Sequence, residues 1–267
     1  MQAQSGGFRV TTVESVGGTF DIGRVARRTF EVIGANFALF TAAAVGLVGV
    51  PSLIAILGQS SMATTPSGSG ALLWVVGLVL SFIGTYMLQG AIVHVSINTL
   101  NGRKTSAGDA ISVGAKLFLP LLCLAILMGF GLAIGFILLI VPGIILYVLW
   151  VVVAPVLVAE KRRVMQTFQR SRDLTRGHRW SIFALLVVYG IGSAVISFAI
   201  QGVGGGAAGA ATVIADGAGP GMALLVLTPL SAVVQGVIGS AGVAAIYYEL
   251  RSAKEGVGPE QLASVFD

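Results

Sequence analysis

Apolar residues recur at Ile22, Val25, Ala26, Thr29, Phe30, Ile33 and Phe37, the i, i+3, i+4, i+7 spacing of one helical face, while Arg24, Arg27, Arg28 and Glu31 fall on the other. Asp21 stands where its side chain can cap this helix, which is expected to lie in a headgroup layer. Beyond it the pattern becomes almost continuously apolar, in six segments near residues 38–57, 72–97, 117–140, 143–158, 181–200 and 222–247. A helix needs about 20 residues to cross roughly 30 Å of hydrocarbon, so five are long enough and the fourth, at about 16, is marginal. That fourth segment must cross thinned bilayer or take Val141 and Pro142 into its outer turn. Pro142-Gly143 suits a tight connection, because proline fixes φ and glycine tolerates positive φ. Segments three and four are therefore expected to form an antiparallel hairpin.

Composition agrees: 55% of the 267 residues are hydrophobic and 10% charged, against roughly 25% charged in soluble domains. The chain reads as all-α, a polytopic membrane protein with six transmembrane helices and cytoplasmic interfacial helices. Residues 1–20 form a polar tail, 21–250 the membrane domain and 251–267 a second tail. The first 36 residues hold charges and no compact apolar core near the start, so a cleaved signal peptide is not expected. Cys123 is the single cysteine, which excludes an internal disulfide.

Basic residues set the orientation. They fall in the N-terminal tail and first helix, in the connection holding Arg103, Lys104 and Lys116, in the segment from Lys161 to Arg179, and at Arg251 and Lys254. The connections at 59–71, 141–143 and 201–221 contain none. By the positive-inside rule both termini are cytoplasmic.

Three points where the chain enters lipid look alike: Gly34 to Phe40, Gly114 to Pro120 and Gly177 to Phe183. Each is glycine, any residue, a polar or basic residue, then apolar ones, and each follows a stretch able to form an interfacial helix. The second such stretch opens with Ser106-x-x-Asp109, a capping-box pattern. With Gln89-Gly90 and Gln235-Gly236 shared by spans two and six, the pattern suggests three helix-plus-hairpin units. The alternative is that glycine, a cation and an aromatic serve any helix entering lipid.

Span interiors lack Asp, Glu, Lys and Arg, which weakens an ion-coupled transport reading. His94 is the exception, either a proton-sensitive or ligand group facing the bundle or a neutral interfacial histidine bonded to a backbone carbonyl. Two histidines and one cysteine make a metal site or a histidine-based hydrolase improbable, and no cofactor is expected. Ser81, Thr85 and Gln89 in span two, Ser193 and Ser197 in span five, and Thr228, Ser231, Gln235, Gly239 and Gly242 in span six should face other helices rather than lipid. They either line a polar cavity, with Gln89, His94, Ser193 and Gln235 as its candidate groups, or serve packing, as Gly131-x-x-x-Gly135 does. Gly204-x-Gly206-x-x-Gly209 matches a dinucleotide fingerprint only formally, since no strand precedes it.

The segment from Glu160 to Arg179 is more informative, with seven basic residues against Glu160 and Asp173. Each cation near a membrane surface contributes about 1 kcal/mol of attraction to anionic lipid. Arg162, Arg163, Arg170, Arg172, Arg176 and Arg179 are thus candidate headgroup ligands; alternatively these charges only set topology. Val164, Met165 and Phe168 supply an apolar face, and Gly177 can end the helix. The charges follow loop sidedness instead of forming a separate basic domain, which argues against nucleic acid as partner.

Leu139 to Ile145 with Pro142-Gly143, the spacing of Trp150 to Ala154-Pro155, Glu160, and Arg170-Ser171-x-x-Leu174-Thr175-x-Gly177-x-x-Trp180 resemble the glycerophosphodiester phosphodiesterase membrane-domain family and its multi-span relatives. Phe20-x-Ile22-Gly23-Arg24 with Thr29-Phe30 fits as well. The resemblance implies a six-span bacterial inner-membrane module, sometimes joined to a soluble phosphodiesterase domain. The 17 residues after Leu250 are too few for that domain, so no catalytic residue carries over. Where the family often has a glycine-rich or proline-containing link after the glutamate, this chain has Lys161-Arg162-Arg163. The resemblance implies structural roles for Pro142, Gly143, Pro155, Glu160, Ser171, Thr175, Gly177 and Trp180, with Glu160 placed to pair with Arg170 or Arg172.

The sequence therefore points to a non-enzymatic membrane module that meets anionic lipid, or docks a protein partner, through its basic cytoplasmic helices. The alternative is a transporter or lipid-translocating protein with a polar-lined cavity between spans two, five and six.

Overall fold

The computed structural model describes residues 20–64, 68–203 and 222–255. Most of the N-terminal tail, the Gly204 to Gly209 run and the last twelve residues of the C-terminal tail lie outside these. Regular structure among the described residues is helical throughout. Six helices are long and apolar enough to cross a membrane: Phe37–Met62, Gly68–Leu100, Ala107–Leu138, Ile140–Glu160, Arg179–Ala199 and Pro229–Glu255. They match the six apolar segments in order.

Helix α1 (Ile22–Ala35) begins at Asp21, whose carboxylate accepts from the Arg24 N–H at 3.1 Å. That bond, followed by one from the Gly23 N–H, holds the Asp21 carboxyl below its ordinary range. The buried face of α1 is Val25, Thr29 and Val32, whereas Ile22 and Phe30 are exposed. Its inward stripe is thus rotated from the one read in the sequence, and brings Arg24 and Arg28 toward the bundle.

Span one is α2 (Phe37–Ala44), a π-helical turn (Val45–Gly49) and α3 (Val50–Thr64). Pro51 has no N–H to offer the carbonyl of Leu47 four residues back, and the ladder widens there. Span two, α4 (Gly68–Leu100), packs directly on this turn: a Cβ on Gly84 would lie 1.6 Å from the Leu47 carbonyl oxygen, so only glycine fits.

Span three, α5 (Ala107–Leu138), is capped by Ser106, which accepts from the Asp109 N–H at 3.1 Å while its hydroxyl donates to the Asp109 carboxylate at 2.6 Å. The helix then runs unbroken into the span, so no separate interfacial helix precedes it. The glycines of the three similar stretches also differ in setting. Gly34 has nothing within 4 Å of a Cβ, Gly114 abuts the Met87 carbonyl, and Gly177 takes a φ of +93°.

A single extended residue, Leu139, joins α5 to α6 (Ile140–Trp150). Pro142 and Gly143 therefore do not form the turn, and Gly143 is not at positive φ. They lie in the first turn of α6, where proline's missing N–H costs nothing. The hairpin is nonetheless as expected, with Gly135 against Gly143 and Gly131 beneath the Trp150 ring.

Span four takes Val141 and Pro142 into its first turn, one of the two ways expected, and so reaches 21 residues; what was not expected is that it breaks. After α6, Val151 and Val152 form a turn, and α7 (Val153–Glu160) continues toward the basic end. Pro155 accounts for the break, since its ring excludes the carbonyl of Val151. Val153 through Val158 are all buried, so α7 is enclosed on every side. Its neighbours are α4, α5, α8 (Val164–Thr175) and α10 (Met222–Glu255), while α9 (Arg179–Val203) packs on α6 and α10. Because α1 and α8 both bond to the C-terminal end of α10, the two shorter helices share one end of the bundle.

Candidate functional site on the basic face

Helix α8 turns small polar residues inward. Thr167, Ser171, Leu174 and Thr175 are buried, Val164 and Phe168 flank them, and Met165 is exposed rather than on the apolar face. The Ser171 hydroxyl donates to the Leu149 carbonyl oxygen at 2.7 Å, a carbonyl freed by the break in span four. The Thr175 hydroxyl donates to the Arg172 carbonyl at 3.2 Å. Gly177 follows in the left-handed region and turns the chain into α9. The ring of Phe20 stacks on that of His178 at 5.8 Å, over this turn. Trp180 is 84% exposed, on the outside of the bundle.

Glu160, at the end of α7, ties three helices together. It accepts from Arg162 at 2.6 Å, from Arg170 at 3.0 Å and from the Tyr247 hydroxyl at 3.2 Å. Arg170 also pairs with Glu255, which pairs with Arg251 at 2.8 Å. Burial pulls the Arg170 guanidinium down, but its bonds to Glu255 and Glu160 outweigh this and hold it above its ordinary range. Of the two partners expected for Glu160, the structure selects Arg170 and leaves Arg172 aside.

The six candidate headgroup arginines thus divide. Arg162 and Arg170 are engaged by carboxylates, and Arg163 is exposed with no ion pair among the described residues. Arg172, Arg176 and Arg179 come together with Gln169 and Asp173 around a cavity of ≈ 430 Å³. Among the described residues none of these three has a carboxylate within 4.0 Å. Lys254 instead donates to the Asp173 carbonyl. The Nε of Arg179 is buried with no hydrogen-bond partner there. Arg179 also lines a second cavity of ≈ 480 Å³ formed by α6 and the start of α9, whose remaining walls are apolar.

A second set of charges, gathered on a buried glutamate, lies outside the expectations drawn from the sequence. Glu249, 3% exposed at its side chain, receives Arg24 at 2.7 Å and also Arg28, and so clasps α1 to α10. The Arg28 guanidinium lies 4.9 Å from the centre of the Tyr248 ring. Glu249 falls just beyond the last apolar run, where an acid usually meets water; Tyr247 and Tyr248 immediately before it were the available signal.

Gln89 and Gln235 both line a cavity of ≈ 570 Å³ between α1 and spans two, five and six, together with Thr29, Thr85 and Tyr189. Most of its wall is aliphatic. His94 and Ser193 do not line it. The His94 ring lies 3.1 Å from the Asn98 side-chain amide, a partner one turn along its own helix rather than a backbone carbonyl. Comparisons with family models, with curated proteins and with solved structures gave no match.

Proposed function

We propose that this is a non-enzymatic integral membrane module of a bacterial inner membrane, oriented with both termini in the cytoplasm, which holds anionic phospholipid at its basic face. The observation that carries this reading is the gathering of Arg172, Arg176 and Arg179, free of carboxylate partners among the described residues, around one cavity. Guanidinium groups give phosphate oxygens paired, charge-assisted hydrogen bonds. The division of the arginines supports it physically: Glu160 neutralises those that hold helices together, while three remain for an external anion. A protein partner with an acidic surface would meet the same face.

The test is retention of lipid by the purified protein. Wild type should keep phosphatidylglycerol in preference to phosphatidylcholine through detergent exchange, and Arg172→Gln with Arg176→Gln should lose the preference while melting normally. Equal retention of both lipids by wild type would overturn the reading.

The second reading, a transporter or lipid-translocating protein, is favoured by the cavity that brings Gln89 and Gln235 together. No Asp, Glu, Lys, Arg or His lines it, so its cargo would be apolar over most of its length. Scrambling of labelled lipid in proteoliposomes, abolished by Gln89→Leu, would support this; no scrambling by wild type would dismiss it.

A further inference from the structure

We infer that the basic cavity and the apolar groove beside it are two halves of one site for a single glycerophospholipid, an inference that rests on the anionic-lipid reading above. The phosphate would sit among Arg172, Arg176 and Arg179, and one acyl chain would run along α6.

Arg179 joins the two halves because it lines both spaces. On one side it meets Arg172 and Arg176; on the other it meets Ile145, Val148, Trp180 and Phe183. A free phosphate ester would use only the first set, and an unspecific annular lipid only the second. A molecule with a phosphate joined directly to hydrocarbon uses both. The Nε of Arg179 is buried with no acceptor among the described residues, a hydrogen bond these residues leave unmade.

The groove follows α6 from Val141 to Leu149, about 12 Å at 1.5 Å per residue. Trp180, exposed beside Arg179, stands where an indole ring prefers the boundary between headgroups and chains. Gln169 and Asp173 give the basic cavity an amide and a carboxylate that accept hydrogen bonds from headgroup hydroxyls. The fitting class is therefore an anionic glycerophospholipid with a hydroxylated headgroup.

The experiment is native mass spectrometry of the full chain in detergent, titrated with dioleoyl phosphatidylglycerol and, separately, with water-soluble glycerol 3-phosphate. Ile145→Trp fills the middle of the groove, and Val141→Trp fills its far end as a second variant on an exposed position. Each should weaken phosphatidylglycerol binding about tenfold, the effect of excluding two methylenes from apolar contact. Arg179→Gln should weaken it at least as much, and glycerol 3-phosphate should bind far more weakly than the lipid. If the groove variants bind lipid like wild type while Arg172→Gln with Arg176→Gln does not, the two-part site is overturned and the headgroup reading stands. If no variant changes binding, both fall. Equal binding of glycerol 3-phosphate and lipid would make this a site for a soluble phosphate ester and overturn the inference.

Discussion

Ser171 and Leu149, 22 residues apart, are joined by a 2.7 Å hydrogen bond from the serine hydroxyl to the leucine carbonyl oxygen. The bond exists because span four breaks: Pro155 keeps α6 and α7 from forming one ladder, and the last carbonyls of α6 must find partners elsewhere. In Ser171→Ala a part-buried carbonyl loses its partner, which puts the cost near the low end of about 1–3 kcal/mol. The Tm measured in a fixed detergent should fall, by about 2–4 °C for each kcal/mol in a chain of this size. Ser171→Thr, which keeps the hydroxyl, should stay near wild type.

The clasp between Glu249 and the arginines of α1 makes a different expectation. Removing the carboxylate leaves Arg28, 18% exposed, and Arg24, 31% exposed, facing the place of a buried partner. Breaking a buried pair costs about 3–5 kcal/mol, and the partial exposure of both arginines puts Glu249→Gln at or below the low end. The cost falls on one contact, between α1 and α10, so the readout should be local. Trypsin should cut after Arg27, which is 70% exposed at its side chain, much faster in the variant than in wild type. Unchanged cleavage would show that apolar contacts alone hold α1.

These two contacts mark how far the sequence could be read. Helices and their basic end were legible because apolar runs and charge clusters are local patterns. So was the Ser106 cap, because a capping box needs only four neighbouring residues. Glu160 with Arg170 was within reach, both lying beside one short connection. Glu249 was not, because its meaning depends on α1 returning to it across 225 residues. Pro142-Gly143 misled for another reason: proline suits a turn's second position and a helix's first turn equally, and local sequence does not choose between them. The meeting of a basic and an apolar space at Arg179 was not legible, since α6 and α9 come together only in the fold.

Lys161 offers a gain of stability. It ends α7 with φ 48° and ψ 35°, the left-handed region that a side chain disfavours. A residue with a Cβ pays about 1–2 kcal/mol there and glycine almost nothing. Glycine's greater freedom in the unfolded chain offsets part of this. Lys161→Gly should therefore raise the Tm slightly, by no more than the shift of about 1 kcal/mol. Lys161→Val, branched at Cβ, should lower it. Equal Tm values for these two variants would mean that this backbone conformation is not retained.

His178 gives the acid limb of stability a sign. Burial pushes its imidazole below the ordinary value of 6.5, and the nearby Lys254 ammonium pushes the same way. A base with a lowered folded pKa binds its proton more readily when unfolded, so stability rises with pH across the interval between the two values. The contribution is complete above 6.5 and is lost as pH falls through and below it. Because the ring stacks on Phe20 at the turn between α8 and α9, protonation should loosen that turn and the start of α1 together. Wild type should lose thermal stability as the pH falls below 6.5 more steeply than His178→Gln. The difference between the two profiles removes the carboxylates and His94, which both proteins share, and a parallel pair of curves would show that His178 is solvated like an unfolded residue.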